Sequence, residues 1–215
     1  MINYVSLTPE LNLPRDLHLL LVDEITLKKS IPSAFYLDAT KTQENDSWLF
    51  KLYQKYSFKK GNFQTYRLTE DSEDLVYRHY KQFLDYVGLP YKIRLKSMRG
   101  IRWLFPHSDF YDSYRGIDTP NGDSTSIYIG IITNSEITNW YSFNGQFKMN
   151  NIFHLLQLKK EKSICLKDRE SCLFDNSSIH SVTNCNPKKE RWGLAISWQG
   201  ASFETIKQKY LEYIK

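Results

Sequence analysis

From residue 91 to residue 198 the sequence breaks into short β-branched and aromatic pieces: 101–105, 126–133, 152–158, 163–166, 171–174, 179–183 and 192–198. Asn, Asp, Gly and Pro separate them. Many short strands joined by polar turns fold as a sandwich or barrel, and not as a parallel α/β sheet. One helix precedes this region. Glu70, Asp71, Glu73 and Asp74 crowd its start, where negative charge suits the helix dipole. Val76, Tyr80, Phe83, Leu84 and Val87 follow at helical spacing, and Gly88 and Pro90 supply the stop, so a helix is expected over 70–87. A second helix is expected over 203–214, capped by Ser202, with Phe203, Ile206, Tyr210, Leu211 and Ile214 on one face. The fold class is therefore mainly β with flanking helices.

The 215 residues make one domain with a sizeable core. We expect a mixed or helical region over 1–90 packed on a β core over 91–200, with the last helix within 201–215. Residues 1–65 are hard to read; 34–37 and 48–53 fit either a strand or a helix fragment. The longest apolar run, near 17–22, is interrupted by His18 and is far shorter than the roughly 20 residues of a membrane helix. No basic start followed by an apolar stretch is visible, and Cys165, Cys172 and Cys185 form no C-x-x-C. A reduced, cytoplasmic protein without a membrane partner is the expectation. The net charge of +5 comes from scattered Lys and Arg without a basic block, so it reads as a solvated surface.

Two segments carry chemistry. The first is Pro106-His107-Ser108-Asp109. Residues two apart in a strand share a face, so His107 and Asp109 can present an imidazole and a carboxylate to one point. Alone, such a pair is a common surface coincidence. The second is Phe174-Asp175-Asn176-Ser177-Ser178-Ile179-His180-Ser181-Val182-Thr183-Asn184, followed by Arg191 at the head of a nearly apolar strand. A turn centred between Cys185 and Asn186 would set His180 directly opposite Arg191 in a hairpin. Two His and one carboxylate on one side of a metal is the donor set of non-heme Fe(II) oxygenases. An Arg beside it suits a dicarboxylate, whose oxygens match the guanidinium fork. A zinc hydrolase could use the same ligands but has no evident need of the arginine.

These segments resemble the Fe(II)/2-oxoglutarate-dependent oxygenases, most closely the aspartyl/asparaginyl β-hydroxylase and bacterial free-proline hydroxylase branch, over roughly residues 99–198. The strongest match is Phe174-Asp175-x-Ser177-x-x-His180-x-Val182-x-Asn184 with Arg191; weaker ones are Pro106-His107-x-Asp109 and Ile131-Ile132-Thr133-Asn134. The resemblance implies a double-stranded β-helix, the cupin-like jelly roll, over 91–200. It implies Fe(II) held by His107, Asp109 and His180, with 2-oxoglutarate and O2 as cosubstrates and Arg191 on the distal carboxylate of 2-oxoglutarate. Asp175, Ser177 and Asn184 would have structural roles around the turn. Ser126 and Tyr128 stand where the branch often has an Arg and a His, which leaves Tyr128 to donate a hydrogen bond to the cosubstrate.

Arg115 and Tyr111, in the long loop over 110–124, and Trp103 are the candidate substrate contacts. The implied activity is hydroxylation of an unactivated C–H in an amino acid, an amino-acid residue of a peptide or protein, or a related small molecule. Retention of Asp109 argues against halogenation, which needs that coordination position for the halide. The competing reading is a non-catalytic jelly-roll binding or interaction protein. A nucleic-acid substrate is not expected, because packing and solvation account for Arg99, Arg102 and Trp103.

Overall fold

The computed structural model describes residues 4–27, 29, 31–37, 62–101, 103–108, 111–112, 117–118, 123–147, 151–199 and 201–215. In chain order the strands are β1 (Tyr4–Ser6), β2 (Ile31–Leu37), β3 (Asn62–Arg67), β4 (Tyr91–Arg99), β5 (Leu104–His107), β6 (Tyr111–Asp112), β7 (Ile117–Asp118), β8 (Asp123–Ile132), β9 (Ile137–Ser142), β10 (Lys159–Ile164), β11 (Ser171–Asp175), β12 (His180–Thr183) and β13 (Arg191–Gln199). The helices are α1 (Arg15–Thr26), α2 (Glu70–Val87), α3 (Ile152–Gln157) and α4 (Phe203–Tyr213).

The strands form a seven-stranded sheet in the order β1-β11-β8-β13-β4-β3-β2 and a four-stranded sheet in the order β10-β9-β12-β5. β6 and β7 pair separately. β1, β2 and β3, all from the first 90 residues, are hydrogen-bonded into the larger sheet.

β13 shows why its sequence reads as continuously apolar: Trp192 through Trp198 are all buried. A strand covered on both faces loses the apolar/polar alternation. Trp192, Leu194, Ile196 and Trp198 face the helices, joined by Ile93 and Leu95 of β4 and Ile127, Ile129 and Ile131 of β8. Gly193, Ala195 and Ser197 face the other way, toward the smaller sheet.

The helix layer follows the expected period. Val76, Tyr80, Phe83, Leu84 and Val87 are the buried face of α2. Gly88 ends that helix at φ 66, and its N–H reaches the Leu84 carbonyl. Ser202 caps α4 by accepting from the Thr205 N–H at 3.1 Å. A link not anticipated from the sequence ties α1 to α2. Glu24 is buried, and its carboxylate accepts from the Thr69 N–H (2.9 Å) and hydroxyl (3.0 Å). Thr69 is the residue that opens α2.

Two expectations change. The 152–158 segment is the helix α3, not a strand: the Asn151 side chain accepts from the Phe153 N–H and caps one short turn sequence. A brief apolar run does not distinguish the two states. The hairpin is also different. β12 pairs with β5 and β9, whereas β13 pairs with β4 and β8. The chain between Thr183 and Arg191 therefore crosses from one sheet to the other, and Arg191 lies opposite Met98, not His180. Of the two early segments, 34–37 belongs to β2, and 48–53 lies outside the described residues. Among the described residues no helix is long and apolar enough to cross a membrane.

Phe83 is fully buried, with its ring edge-on to Trp198 at 6.2 Å and Tyr210 at 6.1 Å, so it joins α2 and α4 to β13. Phe83→Ala should cost about 3–5 kcal/mol. Urea denaturation should show the lower midpoint, and a midpoint within error of the unsubstituted protein would contradict this packing.

Candidate functional site

Between the sheets lie two apolar clusters. One holds Trp140, Leu166, Cys172 and Phe174; the other holds Met98, Ile101 and Val182.

His107 ends β5 and His180 opens β12, and the two are directly paired across the strands. Their ring centroids are 4.4 Å apart. The register slips between His180 and Val182, at the level of Pro106. Pro106 is tolerated because β5 is the edge strand of its sheet. His180 also meets the Phe174 ring edge-on at 5.1 Å, so it faces the larger sheet.

A short relay fixes the His180 imidazole. Asp175 Oδ1 accepts from the Ser177 N–H (3.0 Å) and hydroxyl (2.5 Å), and the Ser178 hydroxyl donates to Oδ2. The turn so held presents the Ser178 carbonyl to His180 Nδ1 at 2.9 Å. A carbonyl only accepts, so Nδ1 carries the proton and the ring's acceptor lone pair sits on Nε2. This is the usual way a protein sets the tautomer of a metal-binding histidine. Asn184 braces a neighbouring turn: at φ 59 it donates from Nδ2 to the Ser135 carbonyl at 2.8 Å.

Two imidazoles from adjacent strands fit a shared ion. With metal–nitrogen bonds of about 2.0–2.1 Å, two such nitrogens sit roughly 3 Å apart, a spacing the ring separation allows. Among the described residues no set of three His, Cys, Asp or Glu gathers around one point. Asp109 lies outside the described residues, as does Arg115. Tyr111 is placed in β6 by its backbone alone. Trp103 is described and lies at the surface, 41% exposed, just ahead of β5.

Arg191 and Tyr128 come together on the larger sheet. The guanidinium carbon lies 5.3 Å from the Tyr128 ring centroid, and Nε is 2.7 Å from Glu136 Oε1. The oxygen lies off the N–H axis, so the contact is an ion pair, not an aligned hydrogen bond. Burial works against the Arg191 charge, but Tyr128, Glu136, Cys185 and Cys172 outweigh it and hold the group above its ordinary value. Glu136 was not legible as a partner, since nothing in its local sequence points to a residue 55 positions away.

Tyr128 depends on a glycine. A Cβ at Gly193 would come within 2.2 Å of the Tyr128 hydroxyl oxygen and 2.4 Å of the ring carbon that bears it. Beyond them, the Asn176 amide donates to Ser126 Oγ at 2.7 Å, and Ser126 and Ser197 share a hydrogen bond of 2.8 Å. Sequence reasoning missed this buried network as well, because its members are ordinary Ser and Asn in scattered strands.

Gly193→Ala should push the Tyr128 ring from its seat and break its contact with Arg191. Overpacking of this kind costs about 1–3 kcal/mol. A shifted near-ultraviolet circular dichroism spectrum and a lowered urea midpoint are the expected outcomes. An unperturbed spectrum at unchanged stability would show that Tyr128 lies elsewhere.

No protein-family model matches the chain, and no curated protein sequence does. Solved structures do. The chain is similar to the non-heme alpha ketoglutarate dependent epimerase SnoN from nogalamycin biosynthesis, with TM-score 0.54 and 9% identity over 92% of this chain and 78% of that one. It is similar to the carbocyclase SnoK from the same biosynthesis, with TM-score 0.53 and 8% identity over 91% and 79%. It is also similar to a prolyl hydroxylase from Trichoplax adhaerens in complex with a hypoxia inducible factor peptide fragment, with TM-score 0.53 and 8% identity over 98% and 86%. What the chain shares with these proteins is the fold, a double-stranded β-helix of two antiparallel sheets flanked by helices.

Proposed function

We propose that this protein is an Fe(II)- and 2-oxoglutarate-dependent oxygenase that hydroxylates an unactivated C–H of an amino acid, of an amino-acid residue in a peptide or protein, or of a related small molecule. The observation that carries the reading is the His107–His180 cross-strand pair, facing a sheet that holds a largely buried arginine. His107, Asp109 and His180 would hold the iron, a ligand set proper to non-heme Fe(II) sites. Arg191 would hold the distal carboxylate of 2-oxoglutarate, with Tyr128 beside it. Bound iron, 2-oxoglutarate and O2 supply the oxidising chemistry, in which one oxygen atom reaches the substrate and the cosubstrate leaves as succinate and CO2. The Ser178 carbonyl orients His180, and Phe174 and Trp140 would keep the floor of the site dry.

The similar structures include an epimerase and a carbocyclase as well as a prolyl hydroxylase, so the fold alone does not choose the outcome. Hydroxylation is favoured by the presence of Asp109 in the sequence, since as an iron ligand its carboxylate would take the position a halide needs.

The same face of the larger sheet bears on the substrate. Arg94 and Lys96 of β4 lie opposite Ala195 and Gly193, on the pocket side, and both are half-buried. Arg94 donates to its neighbour's Ile93 carbonyl at 2.6 Å. Two cations beside small side chains suit a substrate that brings its own carboxylate, as a free amino acid does. Tyr111, Arg115 and Trp103 remain the proposed contacts for the rest of the substrate.

The decisive assay loads the protein with Fe(II) without oxygen, then adds air, 2-oxoglutarate and a panel of free amino acids and small peptides. Succinate formation matched by a product heavier by one oxygen is expected. A chlorinated product in the presence of chloride would overturn the hydroxylase assignment. Metal-independent binding of a ligand with no succinate would make the protein a binding module.

His180→Ala and Asp109→Ala should abolish turnover. Arg191→Ala should weaken 2-oxoglutarate binding about 10–100-fold, the loss of a charged hydrogen bond. Calorimetry on the Mn(II)-loaded protein reads this directly, and unchanged affinity would place the cosubstrate elsewhere. Lys96→Gln should raise KM for an acidic substrate about 10-fold while leaving its amide analogue unaffected. Equal KM changes for acid and amide would remove the carboxylate argument.

A further inference from the structure

We propose that Glu136 is the positioning residue for Arg191: its ion pair at Nε holds the guanidinium in place, leaves the terminal nitrogens for an incoming carboxylate, and balances the arginine's charge until that carboxylate arrives. The inference rests on Arg191 being the cosubstrate's carboxylate partner.

Glu136 is only 3% exposed, and both of its oxygens are engaged. Oε1 is 2.7 Å from Arg191 Nε, and Oε2 accepts from the Asn134 N–H at 2.6 Å. The turn that carries it is tied down on three sides. Thr133 donates from both its N–H and its hydroxyl to Asp168 Oδ1, each at 2.8 Å. Asn134 Nδ2 donates to the carbonyl of Glu190, the residue immediately before Arg191, at 3.2 Å. The Ser135 carbonyl accepts from Asn184 Nδ2 at 2.8 Å, with Ser135 itself at φ 62. The carboxylate is therefore fixed to the same backbone that launches the arginine, and the long Arg191 side chain adapts to it.

The guanidinium fork can meet a carboxylate through its Nε side or through its two terminal nitrogens. Glu136 Oε1 lies against Nε as an ion pair without taking its hydrogen, and the Tyr128 ring lies over one face. The terminal pair is the part of the fork that these contacts leave for a second carboxylate. A buried arginine without a partner would be strongly unfavourable, so the pair also keeps the pocket formed before the cosubstrate binds.

The test is a double-mutant cycle read by calorimetric titration of 2-oxoglutarate into Mn(II)-loaded protein, with melting temperature measured on each variant. Glu136→Gln keeps the shape and removes the charge. It should weaken 2-oxoglutarate binding about 10-fold, raise KM for 2-oxoglutarate by a similar factor and leave kcat within 2-fold. In the Arg191→Met background, Glu136→Gln should have no further effect on binding, because Glu136 acts only through the arginine. That double variant carries no unpaired buried charge, so it gives a foldable corner of the cycle. Glu136→Asp, which keeps the charge on a shorter arm, gives a second foldable single variant with an intermediate loss. A lower melting temperature with unchanged affinity in Glu136→Gln and Glu136→Asp would make the pair structural and overturn the proposal. Tighter binding would overturn it too, by showing that Glu136 competes with the cosubstrate for Arg191. If Arg191→Met itself leaves 2-oxoglutarate affinity intact, the assignment of Arg191 fails, and the positioning role fails with it.

Discussion

The two faces of β13 set the terms for everything around them. On one side Trp192, Leu194, Ile196 and Trp198 bury large apolar surface against the helices. That burial is the main stabilising term, at about 25 cal/mol per Å2. On the other side the same strand offers Gly193, Ala195 and Ser197, residues with almost no side-chain volume. A β-strand alternates its faces strictly, so large-in and small-out is one pattern, and neither half can change alone. The small side leaves room above the sheet, and Tyr128 lies flat in that room, over Gly193. Arg191, at the head of the strand, then has a ring to rest on and a carboxylate, Glu136, beside it.

Two charge arrangements within this space would be poor choices if stability were the only demand. The buried Arg191–Glu136 pair carries a desolvation cost that its attraction only partly offsets, and apolar residues of the same volume often do as well. The relay from Asp175 through Ser178 to His180 spends a buried carboxylate on holding one turn. Both make physical sense as orientation: each fixes a side chain that would otherwise sample several rotamers, and each fixed group faces the space between the sheets.

The sequence was legible where a local rule decides the outcome. Acidic residues before a 3.6-residue period, a glycine after it, and a serine three positions ahead of the Thr205 N–H gave α2 and α4 nearly to the residue. The two histidines were legible as members of motifs. Their direct pairing was not, because it depends on β5 and β12 meeting across 73 residues of chain. The hairpin expected around Cys185 failed for a related reason. Equal spacing about a turn is compatible with a hairpin, but here the topology puts β12 and β13 in opposite sheets, and β13 finds β4 and β8 instead. α1 was hidden because Leu19, Leu20, Leu21 and Val22 form an unbroken apolar run although Leu19 is exposed; the run masks the helical period. β9 was missed because its strand residues, Ile137–Ser142, begin after an irregular turn whose shape comes from distant partners, Asp168, Asn184 and Glu190.

The thiols near the site complete the electrostatic argument. Cys172 and Cys185 both feel the Arg191 charge, which by itself would favour thiolates. Burial wins: it pushes Cys172 up to about 12 and Cys185 up to about 11. The thiolate is the form that binds metals and attacks electrophiles, so at neutral pH both sulfurs stay out of the chemistry. Soft sulfur ligands select zinc, copper(I) and iron–sulfur clusters, whereas imidazole with carboxylate suits a mononuclear ion with open positions. By keeping these cysteines protonated, the same apolar packing that stabilises the sheets leaves His107 and His180 as the donors that an ion between the sheets would meet.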